Sequence, residues 1–195
     1  MSTVTLKRGR EKSLLRRHHW IFSGAIDTVR GYPAMGETVE VLGHDGRFLA
    51  RGAYSPESQI RVRAWTFDEN EAIGPDFFRS RIQSAYALRQ DVHSLSANAA
   101  FRVINAESDG FPGLIIDMYG GYLVCQIVSA GSERYREEVV DILADILQPL
   151  GIFEYSDVDV REKEGLAPRT GLLSVEEPPA LIEINESGRV FAVLR

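Results

Sequence analysis

Residues 37–65 read ETVEVLGHDGRFLARGAYSPESQIRVRAW, and they determine the fold that we predict for the first part of the chain. Apolar and polar residues alternate there in short runs, which is the pattern of half-buried strands. Asp45-Gly46, between the first two runs, is a strong signal for a tight hairpin turn. The last run, Ile60 to Trp65, alternates strictly, so Arg61 and Arg63 are predicted to share one face of a strand.

Shorter elements are predicted on the N-terminal side of this stretch. Val4 to Lys7 and Ala25 to Val29 have the composition of further strands. A short helix is predicted over Arg10 to Arg17, with Leu14 and Leu15 facing inward. Several short strands in so short a segment are typical of a small barrel or a curled sheet.

The chain beyond residue 70 is predicted to mix helices with strands. The acidic run Asp68 to Glu71 marks a boundary, and Pro75 suits the first turn of a helix. We therefore predict an α+β chain with domains over residues 1–70 and 75–195. The later predicted elements are a strand over 101–104, a hairpin of 114–118 and 122–128, a helix from Ser132 to Leu147, and strands over 181–184 and 190–194 around the turn 185–188.

Charge is distributed unevenly along the sequence. The net charge is −6, which taken alone argues against nucleic-acid binding. Residues 1–67, however, carry 11 basic and 6 acidic side chains, whereas residues 68–195 carry 11 and 22. Such asymmetry indicates a nucleic-acid-binding portion. The alternative, a chance cluster of solvated surface charges, stays open at this point.

The densest cations lie between Lys7 and Gly24, beside two aromatic residues. Cations neutralise phosphates and release counterions, and Trp20 and Phe22 offer faces on which unpaired bases stack. The alternative places these aromatics in the core, and we expect at least one of them there because Leu14 and Leu15 are near. The predicted RNA-binding residues are Lys7, Arg8, Arg10, Lys12, Arg16 and Arg17, with Arg47, Arg51, Arg61 and Arg63 in second rank.

Other reactive side chains predict no catalytic or metal site. His18-His19 would point to opposite faces of a strand, with no further ligand at suitable spacing. Asp157 and Asp159 would share one side of a strand, beside basic residues that suggest a structural role. The run 109–113 has the composition of a turn, and Cys125 lies in an apolar strand without a basic neighbour, so we expect a packed core thiol.

Sequence features also bear on cofactors and on the compartment. No glycine-rich loop of the G-x-G-x-x-G or acidic-G-x-G type occurs, so we expect no nucleotide or S-adenosylmethionine site in this chain. No apolar run approaches the roughly 18 residues needed to cross a bilayer, and the basic N-terminus lacks a signal-peptide core. With a single cysteine, this composition predicts a cytoplasmic protein that does not contact membranes.

Ordered blocks along the whole chain resemble one family of enzymes. The blocks are KRGREKSLLRRHHWIFSG at 7–24, LARGAYSP at 49–56, SQIR at 58–61, WTFD at 65–68, ESDGFPG at 107–113, SDVDVR at 156–161, KEG at 163–165 and EPPA at 177–180. They resemble the N-terminal portion of the S-adenosylmethionine-dependent 23S rRNA cytosine-5 methyltransferases. Long blocks in this order are far more specific than a single short motif.

The resemblance implies an N-terminal PUA-like small β-barrel and a central strand-strand-helix-strand-strand domain. The family's Rossmann-like methyltransferase domain would be missing, which the abrupt end at Arg195 also suggests. The full-length parent would use S-adenosylmethionine to methylate C5 of a cytosine in 23S rRNA. The present chain would be inactive alone, with ribosomal RNA as its partner.

The acidic second domain is expected to act as a spacer and scaffold or to contribute to a homodimer. Two competing hypotheses stay open: a stand-alone RNA-binding module, and a protein-interaction domain whose basic patch meets an acidic partner.

Overall fold

Two sheets and a C-terminal hairpin form the framework of the protein. The computed structural model describes residues 1–92, 99–176, 179–186 and 189–194. The first sheet contains β1 (Thr3–Leu6), β2 (Trp20–Phe22), β3 (Ile26–Arg30), β4 (Thr38–Leu42), β5 (Phe48–Tyr54) and β6 (Ile60–Thr66), and a helical turn, α1, spans Lys12–Leu15. The second part contains α2 (Pro75–Val92), β7 (Ala100–Asn105), β8 (Leu114–Tyr119), β9 (Tyr122–Ile127), α3 (Ala130–Arg134), α4 (Arg136–Leu147), β10 (Gly151–Ser156), α5 (Asp159–Lys163), β11 (Arg169–Val175), β12 (Leu181–Glu186) and β13 (Arg189–Leu194).

The first sheet has the strand order β2-β6-β5-β4-β1-β3. β1 and β4 are parallel and the other neighbours are antiparallel. The β4–β5 hairpin turns at Asp45-Gly46, as predicted, and Gly46 has the positive φ of 83° that such turns require. Burial alternates along β1 and β4, whereas β5 and β6 are each buried at five consecutive positions. The core of this sheet contains Val4, Leu6, Val39, Val41 and Val62.

Helix α1 corrects one prediction. Leu14 is buried under the sheet, but Leu15 is 59% exposed. The helix is only four residues long, so it presents a single inward position, and its neighbour in sequence points away from the core.

The second sheet has the order β11-β10-β9-β8-β7. Strands β9 and β10 are parallel, joined by the α3–α4 crossover, and the other pairs are antiparallel. The predicted hairpin of β8 and β9 is confirmed, and α2 begins at Pro75 as predicted. Strands β10 and β11 were missed because β10 is buried on both faces and lacks an alternating pattern.

Two local predictions in the second part were wrong. Ser132 does not begin a helix, because Ser129 caps α3 by accepting the Ser132 N–H at 3.2 Å. Asp157 and Asp159 do not lie on a strand, since Asp159 begins α5. The first two residues of the predicted turn 185–188 belong to β12, and its other two residues and Arg195 lie outside the described residues.

The two sheets share a core through Trp65. This side chain belongs to β6 but is 1% exposed and lies among aromatic rings of the second part. Ring centroids of Phe78 and Phe111 are each 5.6 Å away, and those of Phe77 and Tyr135 are each 6.4 Å away. The core around Trp65, which we call the second core, contains residues from both sides of the predicted boundary between residues 70 and 75, and that boundary stays a prediction.

Helix α3 packs directly on the first sheet at Gly131. A Cβ atom placed on this glycine would lie 2.4 Å from the Ala53 Cβ and 2.7 Å from the Trp65 Cζ2, which is closer than real atoms approach. Only glycine fits this contact, so the position of α3 relative to β5 and β6 is closely defined.

Candidate nucleic-acid interface

The cations of residues 7–17, which we call the basic segment, lie on the surface of the first sheet. All six of its lysines and arginines are exposed. Within the part of the chain that the structure describes, no carboxylate pairs with the side chains of Arg8, Arg10, Lys12 or Arg16. Lys7 donates to the Gly24 carbonyl at 3.1 Å, and the Arg17 guanidinium lies 5.1 Å from the centre of the Phe67 ring. These charges are available to an anionic partner.

Glu11, the acidic residue within the basic segment, is turned away from the solvent. Its Oε1 lies 2.8 Å from Nδ1 of His44. Hydrogen bonds from its own backbone N–H and from His44 hold the pKa of Glu11 below its usual value. Its carboxylate therefore has a partner inside the protein and does not pair with the neighbouring cations.

Strand β2 exposes both of its aromatic residues, which corrects the expectation that at least one would be in the core. Ile21 is 3% exposed and takes the inward position, whereas Trp20 is 36% and Phe22 49% exposed. Because side chains alternate along a strand, one inward residue between two aromatics turns both outward.

Contacts with distant residues hold the Trp20 indole in place. Its Nε1–H donates to Oε1 of Glu107 at 2.6 Å, and the Arg63 guanidinium lies 5.6 Å from its ring centre. Phe22 lies at its edge, with ring centroids 6.4 Å apart. An exposed and immobilised indole is suited to stacking, since little side-chain freedom is lost on binding.

Trp20 and Phe22 line two depressions. The first, which we call the basic groove, has a volume of about 470 Å³ and also contains Arg10, Lys12 and Gly9. The second, which we call the inter-sheet cleft, has a volume of about 660 Å³ and lies between β2, β6 and the second part of the chain. The two depressions meet at the aromatic pair.

The second-rank arginines are distributed differently. Arg47 is exposed and lies 3.6 Å from Asp45. Arg51 is buried, pairs with Glu40 at 3.0 Å and donates to the carbonyls of Glu69 and Glu71.

Arg61 and Arg63 also point toward protein acceptors. Arg61 donates to the Pro56 carbonyl, and Arg63 is buried against Glu164 at 2.9 Å. Their guanidinium groups hold the fold together, so Arg51, Arg61 and Arg63 are not brought to the basic segment's surface.

The two adjacent histidines have separate local partners. His18 Nδ1 accepts the Trp20 backbone N–H at 3.1 Å, and His19 Nδ1 lies 2.7 Å from the Ala64 carbonyl. Among the described residues, no group of three metal-ligating side chains occurs. The same residues include no helix that is long and apolar enough to span a membrane.

Cys125 is expected to be unreactive in the folded protein. It is 1% exposed in the second core, and burial raises the pKa of its thiol far above the usual range. We expect a thiol-specific disulfide reagent to modify no cysteine under native conditions and one after unfolding in guanidinium. Rapid native modification would contradict the packed position.

This chain is similar to one family of domains and to several curated proteins. A PUA-like domain family model matches residues 4–67. Ribosomal RNA large subunit methyltransferase I from Photobacterium profundum is 51% identical over 188 residues, or 96% of this chain and 47% of that protein. The proteins of the same name from Vibrio vulnificus and Shewanella denitrificans are 50% and 52% identical over 98% and 97% of this chain, and 48% of each is covered.

Solved structures share the fold at lower identity. A candidate S-adenosylmethionine-dependent methyltransferase from Streptococcus mutans has a TM-score of 0.81 at 19% identity, over 100% of this chain and 48% of that one. A second structure, described as a candidate methyltransferase complexed with SAH, has the same TM-score at 20% identity and equal coverage. They show that the fold is α+β, with a PUA-like sheet followed by a second mixed sheet.

The chain spans about half the length of the curated relatives that it matches. The identity of about 50% extends over nearly all of its residues, including both sheets. Over nearly its whole length, this chain is therefore similar to the N-terminal part of ribosomal RNA large subunit methyltransferase I.

Proposed function

We propose that this chain is the RNA-recognition and scaffold portion of an S-adenosylmethionine-dependent methyltransferase that acts on C5 of a cytosine in 23S rRNA. The relatives' name supports ribosomal RNA as the substrate, and the sequence resemblance suggests the cytosine. The methyl donor and the reaction belong in this proposal to a part of the protein outside the present chain.

One observation carries the RNA-binding part of this proposal. The basic segment keeps its cations exposed, and Arg8, Arg10, Lys12 and Arg16 have no carboxylate partner among the described residues, although the protein as a whole is acidic. The buried Arg51 and Arg63 and the half-buried Arg61, in contrast, are matched to carboxylates or carbonyls of the protein. Unpaired cations concentrated on one surface favour a polyanion as the partner.

The contact set that we propose is therefore smaller than the sequence predicts. It comprises Lys7, Arg8, Arg10, Lys12, Arg16 and Arg17, with Trp20 and Phe22 as stacking surfaces. Arg47 remains a peripheral candidate. The acidic second part of the chain would hold the basic segment in a fixed orientation. The contacts that do so are the packing around Trp65 and the ion pair of Arg63 with Glu164.

The salt dependence of RNA binding tests the proposal. If about six cations contact phosphates, the logarithm of the affinity should fall with the logarithm of salt concentration with a slope of about −4 on single strands. Fluorescence anisotropy of a labelled rRNA fragment between about 50 and 200 mM salt measures this slope. Binding that is insensitive to salt would contradict a phosphate-contacting surface, and absence of RNA binding would favour an acidic protein partner.

The role within a larger enzyme has a separate test. Sequencing the gene beyond the codon for Arg195 is expected to reveal an in-frame domain with a glycine-rich methyl-donor loop. A stop codon directly after Arg195 would instead favour the stand-alone RNA-binding module. Light scattering of the purified chain tests the proposed homodimer, because a monomeric mass would exclude it at the concentration measured.

A further inference from the structure

The inter-sheet cleft has the size and lining of a site for a small aromatic ligand. Its volume of about 660 Å³ lies within the range typical of small-molecule sites. Its walls are largely apolar and come from both parts of the chain: Phe22 and Ile60 from the first sheet, and Ile115, Val128 and Val160 from the second part. Residues from distant segments of the chain form this cleft, so no local sequence pattern indicates it.

Two carboxylates in the cleft keep a free acceptor among the described residues: Glu57, which is exposed, and Glu107, which is half-buried. Glu164 is fully engaged, since its Oε1 accepts from Arg63 at 2.9 Å and its Oε2 accepts the Ala130 N–H at 3.2 Å. Glu107 uses only Oε1, which accepts from Trp20 at 2.6 Å and lies 3.5 Å from Arg63. Its Oε2 has no hydrogen-bond partner among the described residues, and its side chain is 27% exposed.

The position of the cleft relates it to the basic segment. Trp20 and Phe22 line both the cleft and the basic groove, where Arg10 and Lys12 lie. A strand whose phosphates contact the basic groove would therefore bring a neighbouring base to the mouth of the cleft. Lys163, exposed at the cleft's rim, offers a further phosphate contact.

We propose that the inter-sheet cleft binds one unpaired nucleobase that carries an exocyclic amine, stacked against Phe22 and Trp20 and hydrogen-bonded to Glu107. This inference rests on the proposed function, because the base belongs to the RNA that the basic segment binds. Aromatic rings stack on any base, whereas a carboxylate oxygen accepts from an amine such as cytosine N4. Cytosine, adenine and guanine carry an exocyclic amine and uracil does not, so the cleft favours these three bases over uracil.

The full chain and three short RNA probes test this proposal. The probes are an oligocytidine, an oligouridine of equal length, and an abasic strand with the same phosphates. We expect oligocytidine to bind about 5- to 100-fold more tightly than the abasic strand, because stacking is lost in the latter. We expect it to bind on the order of tenfold more tightly than oligouridine, because one charge-assisted hydrogen bond is lost. Base-bearing strands should also quench the fluorescence of Trp20, while Trp65 is buried and unaffected.

Variants separate the two contacts. Phe22→Leu should reduce the advantage of oligocytidine over the abasic strand, whereas Tyr155→Leu, at an aromatic with the same 49% exposure on β10, should not. Glu107→Gln should reverse the preference toward uridine. The Trp20 and Arg63 donors require the amide oxygen at the Oε1 position, which leaves the amide nitrogen as a donor at the Oε2 position.

The outcomes distinguish this inference from the proposed function. Equal, salt-dependent binding of all three probes without Trp20 quenching would overturn the base site and leave the phosphate-binding surface intact. An unchanged preference for cytidine in Glu107→Gln would overturn the hydrogen bond to Glu107. Absence of salt-dependent binding to any probe would overturn both proposals together.

Discussion

Replacing both Lys12 and Arg16 with glutamate is expected to weaken RNA binding by about tenfold or more and to reduce the magnitude of the salt slope by about 1.4. Both side chains are exposed, and neither has a carboxylate partner among the described residues, so the substitutions remove two contacts and add repulsion. Folding should be little affected. Lys12 is the first residue of α1, where an acidic side chain is favoured by the helix dipole.

A matched double variant controls for net charge. Arg30→Glu with Arg134→Glu makes the same change in charge at exposed positions away from the basic segment, since Arg30 pairs with Thr3 in the register of β1 and β3, and Arg134 lies beside Gly36. Anisotropy titrations at several salt concentrations compare the two proteins with the unaltered chain. Equal losses in both would show that overall charge, and not the basic segment, governs binding.

Most strands of the first sheet could be predicted from local pattern. The run 48–54 lies between turn signals, and the structure has β5 over these same residues. Strands in the second part of the chain were harder to predict where apolar and polar residues do not alternate. Strand β10 is GIFEYS, buried at five of six positions, and its partner β9 lies beyond a crossover of two helices. Only the tertiary pairing identifies such a segment as a strand.

Contacts between residues that are distant in sequence also form much of the candidate site, and local sequence patterns do not predict them. Alternation correctly placed Arg61 and Arg63 on β6, but nothing local indicates that Glu164, 101 residues away, covers Arg63. In the same way, the contact from Trp20 to Glu107 spans 87 residues and decides that the indole stays on the surface. Charge density in residues 7–17 was visible in the sequence because exposed cations need no partner, whereas the inter-sheet cleft depends on contacts between distant segments.

The largest effect on stability is expected from Trp65→Ala. The side chain is 1% exposed and packs against four aromatic rings from α2, the turn at 106–111 and the start of α4. Removing a buried aromatic side chain and leaving a cavity costs about 3–5 kcal/mol. Because the indole joins β6 to the second core, we expect one cooperative unfolding transition, moved to lower guanidinium concentration and followed by far-ultraviolet circular dichroism.

The other tryptophan provides the control. Trp20→Ala removes an equally large side chain that is 36% exposed, and its cost should be clearly smaller than that of Trp65→Ala because it leaves no cavity in the core. Equal costs for the two variants would contradict a core shared across residues 70–75. A loss confined to one of two separate transitions would instead mean that the predicted domains, 1–70 and 75–195, unfold independently. In that case the basic segment could be studied on a fragment of the first domain, whereas a single transition requires the whole chain.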